Sequence, residues 1–285
     1  MIDLNSITDE VVGEYDLKDD RANQLVHTLI RYLHGYAREV QLTHAEWRAA
    51  LSFLTRASQS TNESRNEFSL ISDVLGVSSL VDLMASAEGA TPGSVLGPFH
   101  VHDSKEQANG FDLRGEQAGT PTLFRGRVMS ASGQPLQALI DFWQNADNAL
   151  YPQMDSTQDY HNLRCKLRTD ADGTFAFRTV LPQPYGIPED GPVGDLVRQA
   201  GRTCMRPAHF HTIVMADGHL PVTTEIFFDH DPYLETDAVF GVREKLITHV
   251  HTVTDSAQAS AAGMPCPFSL VEFDFHLAPQ APATR

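Results

Sequence analysis

Two histidines stand two residues apart in the run Arg206-Pro207-Ala208-His209-Phe210-His211, which leads into the β-friendly Thr212-Ile213-Val214-Met215. Along an extended strand, residues i and i+2 point to one face. Both imidazoles can therefore reach a single ion, while Phe210 points to the opposite side. Spacing alone does not select this pair, because the chain holds two more His-x-His pairs, His100/His102 and His249/His251. Two of the seven tyrosines also occupy unusual places. Tyr151 precedes Pro152, and Tyr185 is set in Leu181-Pro182-Gln183-Pro184-Tyr185-Gly186-Ile187-Pro188, where prolines and a glycine constrain the backbone around one aromatic ring. The ordinary expectation for each is an amphipathic tyrosine with its hydroxyl at the surface.

The elements that must position these residues change character along the chain. From Ala22, apolar side chains recur at Leu25, Val26, Leu29, Ile30, Leu33, Tyr36 and Val40, the three-and-four spacing of an amphipathic helix. This stripe predicts helix–helix packing in a core, or else a dimer seam. Thr43-His44-Ala45-Glu46 is a capping box opening a second helix with Trp47, Ala50, Leu51 and Leu54 on one face. After a polar break at 58–62, a third helix carries Phe68, Ile71 and Leu75 and ends at Gly76, and a short fourth carries Leu80 and Leu83. Beyond Pro92-Gly93 and Gly97-Pro98 the period becomes two. Strands are predicted at 123–128, 138–143, 174–178, 210–215, 222–228 and 271–277, separated by Gly/Pro/Asp turns. The fold class is α+β: a helical N-terminal domain (1–104) followed by a mainly antiparallel β-sandwich (105–285). Segment 189–204 reads as a long excursion of the kind that carries function.

Composition removes several classes of partner. The formal net charge is −16, which leaves no basic footprint for nucleic acid or an anionic membrane. No apolar run approaches the ~20 residues that span a bilayer, and Met1-Ile2-Asp3-Leu4-Asn5 lacks the pattern of a secretory signal. Three isolated cysteines, Cys165, Cys204 and Cys266, fit a reduced, cytoplasmic protein better than a disulfide framework.

Taken in chain order, two tyrosines and a histidine pair on one sandwich form a donor set with a chemical preference. A hard trivalent ion such as Fe(III) favours anionic oxygen donors, and two tyrosinates with two neutral imidazoles leave a net +1 site open to anionic ligands. The stretches DFWQNADNALYPQMD (141–155), LRTDADGTFAFRTVLPQPYGIP (167–188) and RPAHFH (206–211) resemble the intradiol ring-cleaving dioxygenases, non-haem Fe(III) enzymes that split catechols between the two hydroxyl-bearing carbons. The resemblance covers nearly the whole chain, since a helical domain before the sandwich is also the family's architecture. It implies one Fe(III) per subunit with Tyr151, Tyr185, His209 and His211 as ligands, and Arg206 as the active-site arginine. The other His-x-His pairs match no ligand motif and are expected to be exposed or structural.

Within the family, VLGPFHV (95–101), YGIPEDGPVGDL (185–196) and DPYLETDAVFGVREKL (231–246) are similar to the hydroxyquinol 1,2-dioxygenase branch. Alanine at 238, where catechol enzymes tend to carry a bulkier residue, leaves space for a third ring hydroxyl. By the same analogy Ala238 and Val239 line the ring pocket with Leu80 and Leu83, with Val95, Leu96, Gly97, Pro98 and Phe99, and with Ile187 and Pro188. Two positions depart from the pattern: Leu83 stands where some hydroxyquinol enzymes have a polar residue, and Glu225 where catechol enzymes have glutamine. The implied reaction adds both atoms of O2 to the diol and gives 3-hydroxy-cis,cis-muconate, the enol form of maleylacetate. Tyr185 would leave the metal to act as a base, and Arg206 would stabilise the electron-rich ring. The resemblance also implies a homodimer through the N-terminal helices, with phospholipid in the interface. Catechol and chlorocatechols remain alternative substrates. A cupin-like Fe(II) site of His209, His211 and Glu225, and a non-catalytic sandwich, are the alternatives from other classes.

Overall fold

The computed structural model describes residues 2–62 and 65–280 and falls into two units, Met1–Arg56 and Ala57–Arg285. The first holds α1 (Ile7–Gly13), α2 (Asp20–Glu39) and most of α3 (His44–Ser60). Asp19 caps α2 by accepting from the Ala22 amide at 2.6 Å. The predicted capping box opens α3, with Glu46 Oε2 accepting from the Thr43 amide at 2.9 Å and Thr43 Oγ1 from the Glu46 amide at 3.3 Å. Helices α1 and α2 are tied by polar contacts, Arg31 to Asp9 at 2.8 Å and Arg38 Nη2 to Thr8 Oγ1 at 2.7 Å. The apolar stripe of α2 does not form a core. That helix buries none of its side chains, and Leu29 and Leu33 are 58% and 56% exposed.

The second unit continues with α4 (Glu67–Val74) and α5 (Val77–Ala85), then β1 (Glu106–Gln107), β2 (Pro121–Ser130), β3 (Ala138–Trp143), β4 (Arg164–Arg168), β5 (Thr174–Val180) and β6 (Tyr185–Gly186). After α6 (Pro192–Gln199) come β7 (Met205–Arg206), β8 (His209–Ala216), β9 (Val222–Phe228), β10 (Ile247–Thr248) and β11 (Val250–Val253). The last elements are α7 (Ser256–Ala261), β12 (Phe268–Glu272) and β13 (Phe275–Leu277). The expected excursion at 189–204 contains α6, which starts with Pro192 in its first turn. Helices α4 and α5 fall in the same unit as the sandwich, although the expected helical domain runs to residue 104. Ser79 of α5 explains part of this, donating to the Phe240 carbonyl at 2.8 Å and accepting from Arg243 Nη2 at 2.6 Å.

One sheet runs β1-β4-β3-β8-β9-β10; the other runs β11-β12-β2-β13, with β5 also paired to β2. The long ladders β2–β5, β3–β4, β3–β8 and β8–β9 are antiparallel, and of these only β8–β9 is joined by a short turn. The sheets are nevertheless mixed, because β1–β4, β9–β10, β2–β12 and β2–β13 pair in parallel. The run expected as one strand at 271–277 is two. Between them the Phe273 amide donates to Arg125 O at 3.1 Å and the Asp274 carboxylate accepts from the Arg127 amide at 2.8 Å, so the chain steps along β2 before pairing again.

The core lies where the two sheets face each other. Phe124 of β2 packs on Phe142 of β3 and Phe210 of β8 with ring centroids 6.2 and 5.0 Å apart, and Phe142 meets Phe177 of β5 at 4.7 Å. Phe210 is fully buried there. The period of two in β8 then turns His209 and His211 to the other face of the same sheet, where they too are buried.

Candidate active site

Register across three strands assembles the first part of the site. Trp143 of β3 lies opposite His211 of β8, and His211 lies opposite Glu225 of β9. The indole stacks on the His211 ring at 4.8 Å and 7°. His209 Nδ1 donates to the Pro207 carbonyl at 2.7 Å, since a carbonyl can only accept, and this leaves a lone pair on Nε2. That Nε2 lies 3.1 Å from the Nε2 of His211.

The tyrosines arrive from two other segments. Tyr151 follows β3 and lies flat against Phe99, centroids 4.2 Å apart at 17°. Tyr185 in β6 pairs with Arg206 in β7, which places it beside the start of β8. The two phenol rings are 5.5 Å apart, Tyr185 is 5.6 Å from the His209 ring, and Tyr151 is 6.3 Å from the His211 ring. The structure thus brings Tyr151, Tyr185, His209, His211 and Arg206 together, and all five are buried.

The electrostatics of this group call for a cation. Burial pushes the Tyr151 phenol well above its ordinary value, and nearby Tyr185 adds to the effect. Burial likewise raises Tyr185, against a smaller opposing pull from Arg206. Burial also lowers both imidazoles, aided by Arg206 at His209 and by His209 at His211. Neither phenolates nor imidazolium ions are favoured here by the protein alone. The Tyr151 hydroxyl and His211 Nδ1 are buried without a hydrogen-bond partner, at a cost of roughly 1–3 kcal/mol for each such group. With His209 Nε2 an acceptor, the 3.1 Å contact is a hydrogen bond donated by His211 Nε2–H. A bound cation would engage the Tyr151 oxygen and take the place of that proton between the two Nε2 atoms, so the residues present fit a metal ion.

Glu225 offers a competing donor, because its carboxylate and the two histidines have ligand atoms within 4.8 Å of one another. Its oxygens are engaged elsewhere. Arg206 Nη1 donates to Oε1 at 2.7 Å and Nη2 to Oε2 at 3.0 Å, and Ser94 Oγ lies 2.7 Å from Oε2. Burial raises the Glu225 carboxyl, but Arg206, His209 and Ser94 more than offset that and hold it below its ordinary value.

Among the pocket residues expected from sequence, Gly97 and Phe99 meet the site directly. Gly97 has φ +68°, and a Cβ there would come within 3.3 Å of His211 Cε1. Ile187, Ala238 and Val239 are buried close to it in the chain, with the Ala238 amide donating to Met205 O at 3.1 Å. Val95 is buried beside Ser94. Leu80, Leu83 and Leu96 are about half exposed, Pro98 is exposed, and Pro188 is intermediate. The other His-x-His pairs lie outside this group. His100 pairs with Asp141 at 3.0 Å, and His249 pairs with Asp229. Asp229, His230 and His249 also bring ligand atoms within 4.8 Å of one another, at exposed or half-exposed positions. Sequence reasoning missed Trp143, Ser94 and Asp237. The only signal was Asp141 in an otherwise apolar strand, which marks that face of β3 as something other than core.

A helical unit preceding a mixed β-sandwich, with two buried tyrosines converging on a His-x-His strand, defines a class of metal-dependent enzyme. Residues 95–279 match the family model described as "Dioxygenase", and residues 19–92 match "Catechol dioxygenase N terminus". The chain is 41% identical to hydroxyquinol 1,2-dioxygenase of Rhizobium sp. over 268 residues, covering 92% of this chain and 91% of that one. It is 40% identical to 6-chlorohydroxyquinol 1,2-dioxygenase of Cupriavidus pinatubonensis over 249 residues, 86% and 90% of the two chains. The solved structure of hydroxyquinol 1,2-dioxygenase from Pseudomonas putida DLL-E4 superimposes with a TM-score of 0.88 at 37% identity, covering 97% of this chain and 99% of that one. The chain belongs to the intradiol ring-cleaving dioxygenases, a family of non-haem iron enzymes.

Proposed function

We propose that this enzyme opens hydroxyquinol (1,2,4-trihydroxybenzene) between C1 and C2 with O2, giving 3-hydroxy-cis,cis-muconate, and that it uses one Fe(III) per subunit held by Tyr151, Tyr185, His209 and His211. The observation that carries this reading is the convergence of these four buried side chains around a Tyr151 hydroxyl with no partner. Bound Fe(III) would supply a Lewis-acidic centre for the deprotonated diol and draw charge from its ring. The chain's own residues supply the rest. The diol must lose both hydroxyl protons, and the Tyr185 oxygen is the base that takes one of them. Tyr151, clamped under Phe99, is the anchor that stays. Arg206 donates toward charge that develops on the ring. Hydroxyquinol is favoured over catechol by the relatives named above and by the small, fully buried Ala238 beside the arginine strand.

The residues 105–285 form the catalytic sandwich in this reading, with 1–104 as the helical domain before it. The exposed stripe of α2 supports a homodimer seam, with phospholipid held where apolar helix faces meet. Three free cysteines support a cytoplasmic location, and no single helix among the described residues is long and apolar enough to cross a membrane. The test is oxygen uptake by iron-loaded protein with hydroxyquinol and with catechol. Faster turnover of hydroxyquinol is expected, and equal or faster turnover of catechol would overturn the substrate assignment.

A second reading is an Fe(II) site of His209, His211 and Glu225, favoured only by the 4.8 Å clustering. It requires Glu225 to give up Arg206 and Ser94. Tyrosinate–Fe(III) charge transfer colours a protein red, so colourless iron-loaded protein would turn the assignment to this second site.

A further inference from the structure

Arg206 is 2% exposed, and its guanidinium lies between two carboxylates. It has five N–H donors. Nε donates to Asp237 Oδ1 at 3.1 Å, Nη1 to Glu225 Oε1 at 2.7 Å, and Nη2 to Glu225 Oε2 at 3.0 Å and Asp237 Oδ2 at 3.3 Å. Those four contacts leave one N–H on Nη1, and it faces His209 Nε2 at 3.3 Å. The same Asp237 carboxylate holds the following loop, accepting from the Val239 amide at 3.3 Å and the Gly241 amide at 2.8 Å. Gly241 closes the cradle. A Cβ there would stand 2.7 Å from Glu225 Oε2, 2.8 Å from Arg206 Nη2 and 3.0 Å from Asp237 Oδ2.

We infer that Asp237 and Glu225 are positioning residues that aim Arg206 so that it acts on substrate through one fixed N–H. This inference rests on the proposed metal site. When His209 gives its Nε2 lone pair to the metal, that N–H loses its acceptor and becomes the arginine's one uncommitted donor at the ring. With two carboxylates facing one guanidinium, Arg206 does not bring an unbalanced positive charge to the site. Its contribution is a directed hydrogen bond, so orientation is what its neighbours must secure. Asp237 sets that orientation and the Ala238–Val239 wall of the pocket with one side chain.

The test uses iron-loaded Asp237→Asn beside the unaltered enzyme. It reads kcat for oxygen uptake, iron content with the charge-transfer absorbance, and anaerobic binding of catechol followed through that absorbance. A fall of about tenfold or more in kcat is expected, ~1.4 kcal/mol of transition-state stabilisation, with iron content and absorbance unchanged and catechol Kd within about threefold. Glu225→Gln, nearly the same size, should show the same pattern and serves if Asp237→Asn does not fold. Unchanged kcat overturns the inference, as does a fall in kcat matched by loss of iron or of catechol binding, which is the signature of a merely structural contact. Absence of oxygen uptake by the unaltered enzyme with either diol would instead defeat the proposed function, so the two failures are distinct.

Discussion

Tyr151→Phe should change stability with opposite sign in the metal-free and the iron-loaded protein. In the metal-free chain the Tyr151 hydroxyl is fully buried and has no hydrogen-bond partner. Such a group costs roughly 1–3 kcal/mol against an apolar replacement of the same shape. Phenylalanine keeps the stack on Phe99 at 4.2 Å and removes only the oxygen. The metal-free variant should therefore be more stable by about 1 kcal/mol or more, which for a unit of this size is a rise of ~2–4 °C in Tm per kcal/mol. Iron reverses the sign. The unaltered protein gains stability from a ligand that binds only the folded state, and the variant, lacking one of four donors, should gain much less and lose most of its visible absorbance. Calorimetric or circular-dichroism melts of both proteins, with and without iron, measure the two effects. A metal-free variant that melts lower than the unaltered protein would refute the reasoning, because it would mean that the hydroxyl has a partner in the folded state.

Tyr185→Phe should cut oxygen uptake by ~10²–10⁴-fold, the usual worth of a positioned base, and turnover within tenfold of the unaltered enzyme would remove Tyr185 from that role. Ala238→Leu should lower the hydroxyquinol-to-catechol ratio of kcat/KM by roughly 10–200-fold, the discrimination that added methylenes bring to an apolar pocket; an unchanged ratio would show that the third hydroxyl does not sit at Ala238. Burial pushes the Cys165 thiol up to about 12, so its unfolded form ionises first as pH rises. The stability it contributes is complete below the unfolded value of ~8.5 and is lost progressively above it. The Tm of the unaltered protein should fall more steeply above pH 9 than that of Cys165→Ala, and parallel curves would contradict the assignment.

What the sequence made legible were features written in short-range spacing. β3 runs from Ala138 to Trp143 as expected, the Thr43/Glu46 box opens α3, and Phe210 turns into the core opposite the two histidines. Each follows from the periodicity of one segment. The ligand set itself was read from resemblance, since no local pattern links Tyr151 to His209. What stayed hidden depends on side chains far apart in the chain. Ser94 reaches Glu225 across 131 residues, and Asp237 reaches Arg206 across 31; neither leaves a periodic trace. The parallel pairings of β2 with β12 and β13 join segments more than 140 residues apart, so local turn signals could not announce them. The stripe of α2 shows the opposite limit. Its period gives the helix and the apolar face correctly, yet period cannot say whether that face meets a core or stays exposed.

Strand β8 is buried on both faces, from His209 through Thr212. A substitution on it disturbs either the hydrophobic interior or the histidine pair, so the strand has little freedom to drift. Gly97, Ile187, Ala238 and Val239 lie outside the long ladders, Gly97 in the segment leading from α5 to β1 and the others in connections after β6 and β9. The scaffold therefore separates what must be inherited unchanged from what can be revised. New ring substituents can be admitted by editing connections, one residue at a time, without touching the strand that carries the histidine pair.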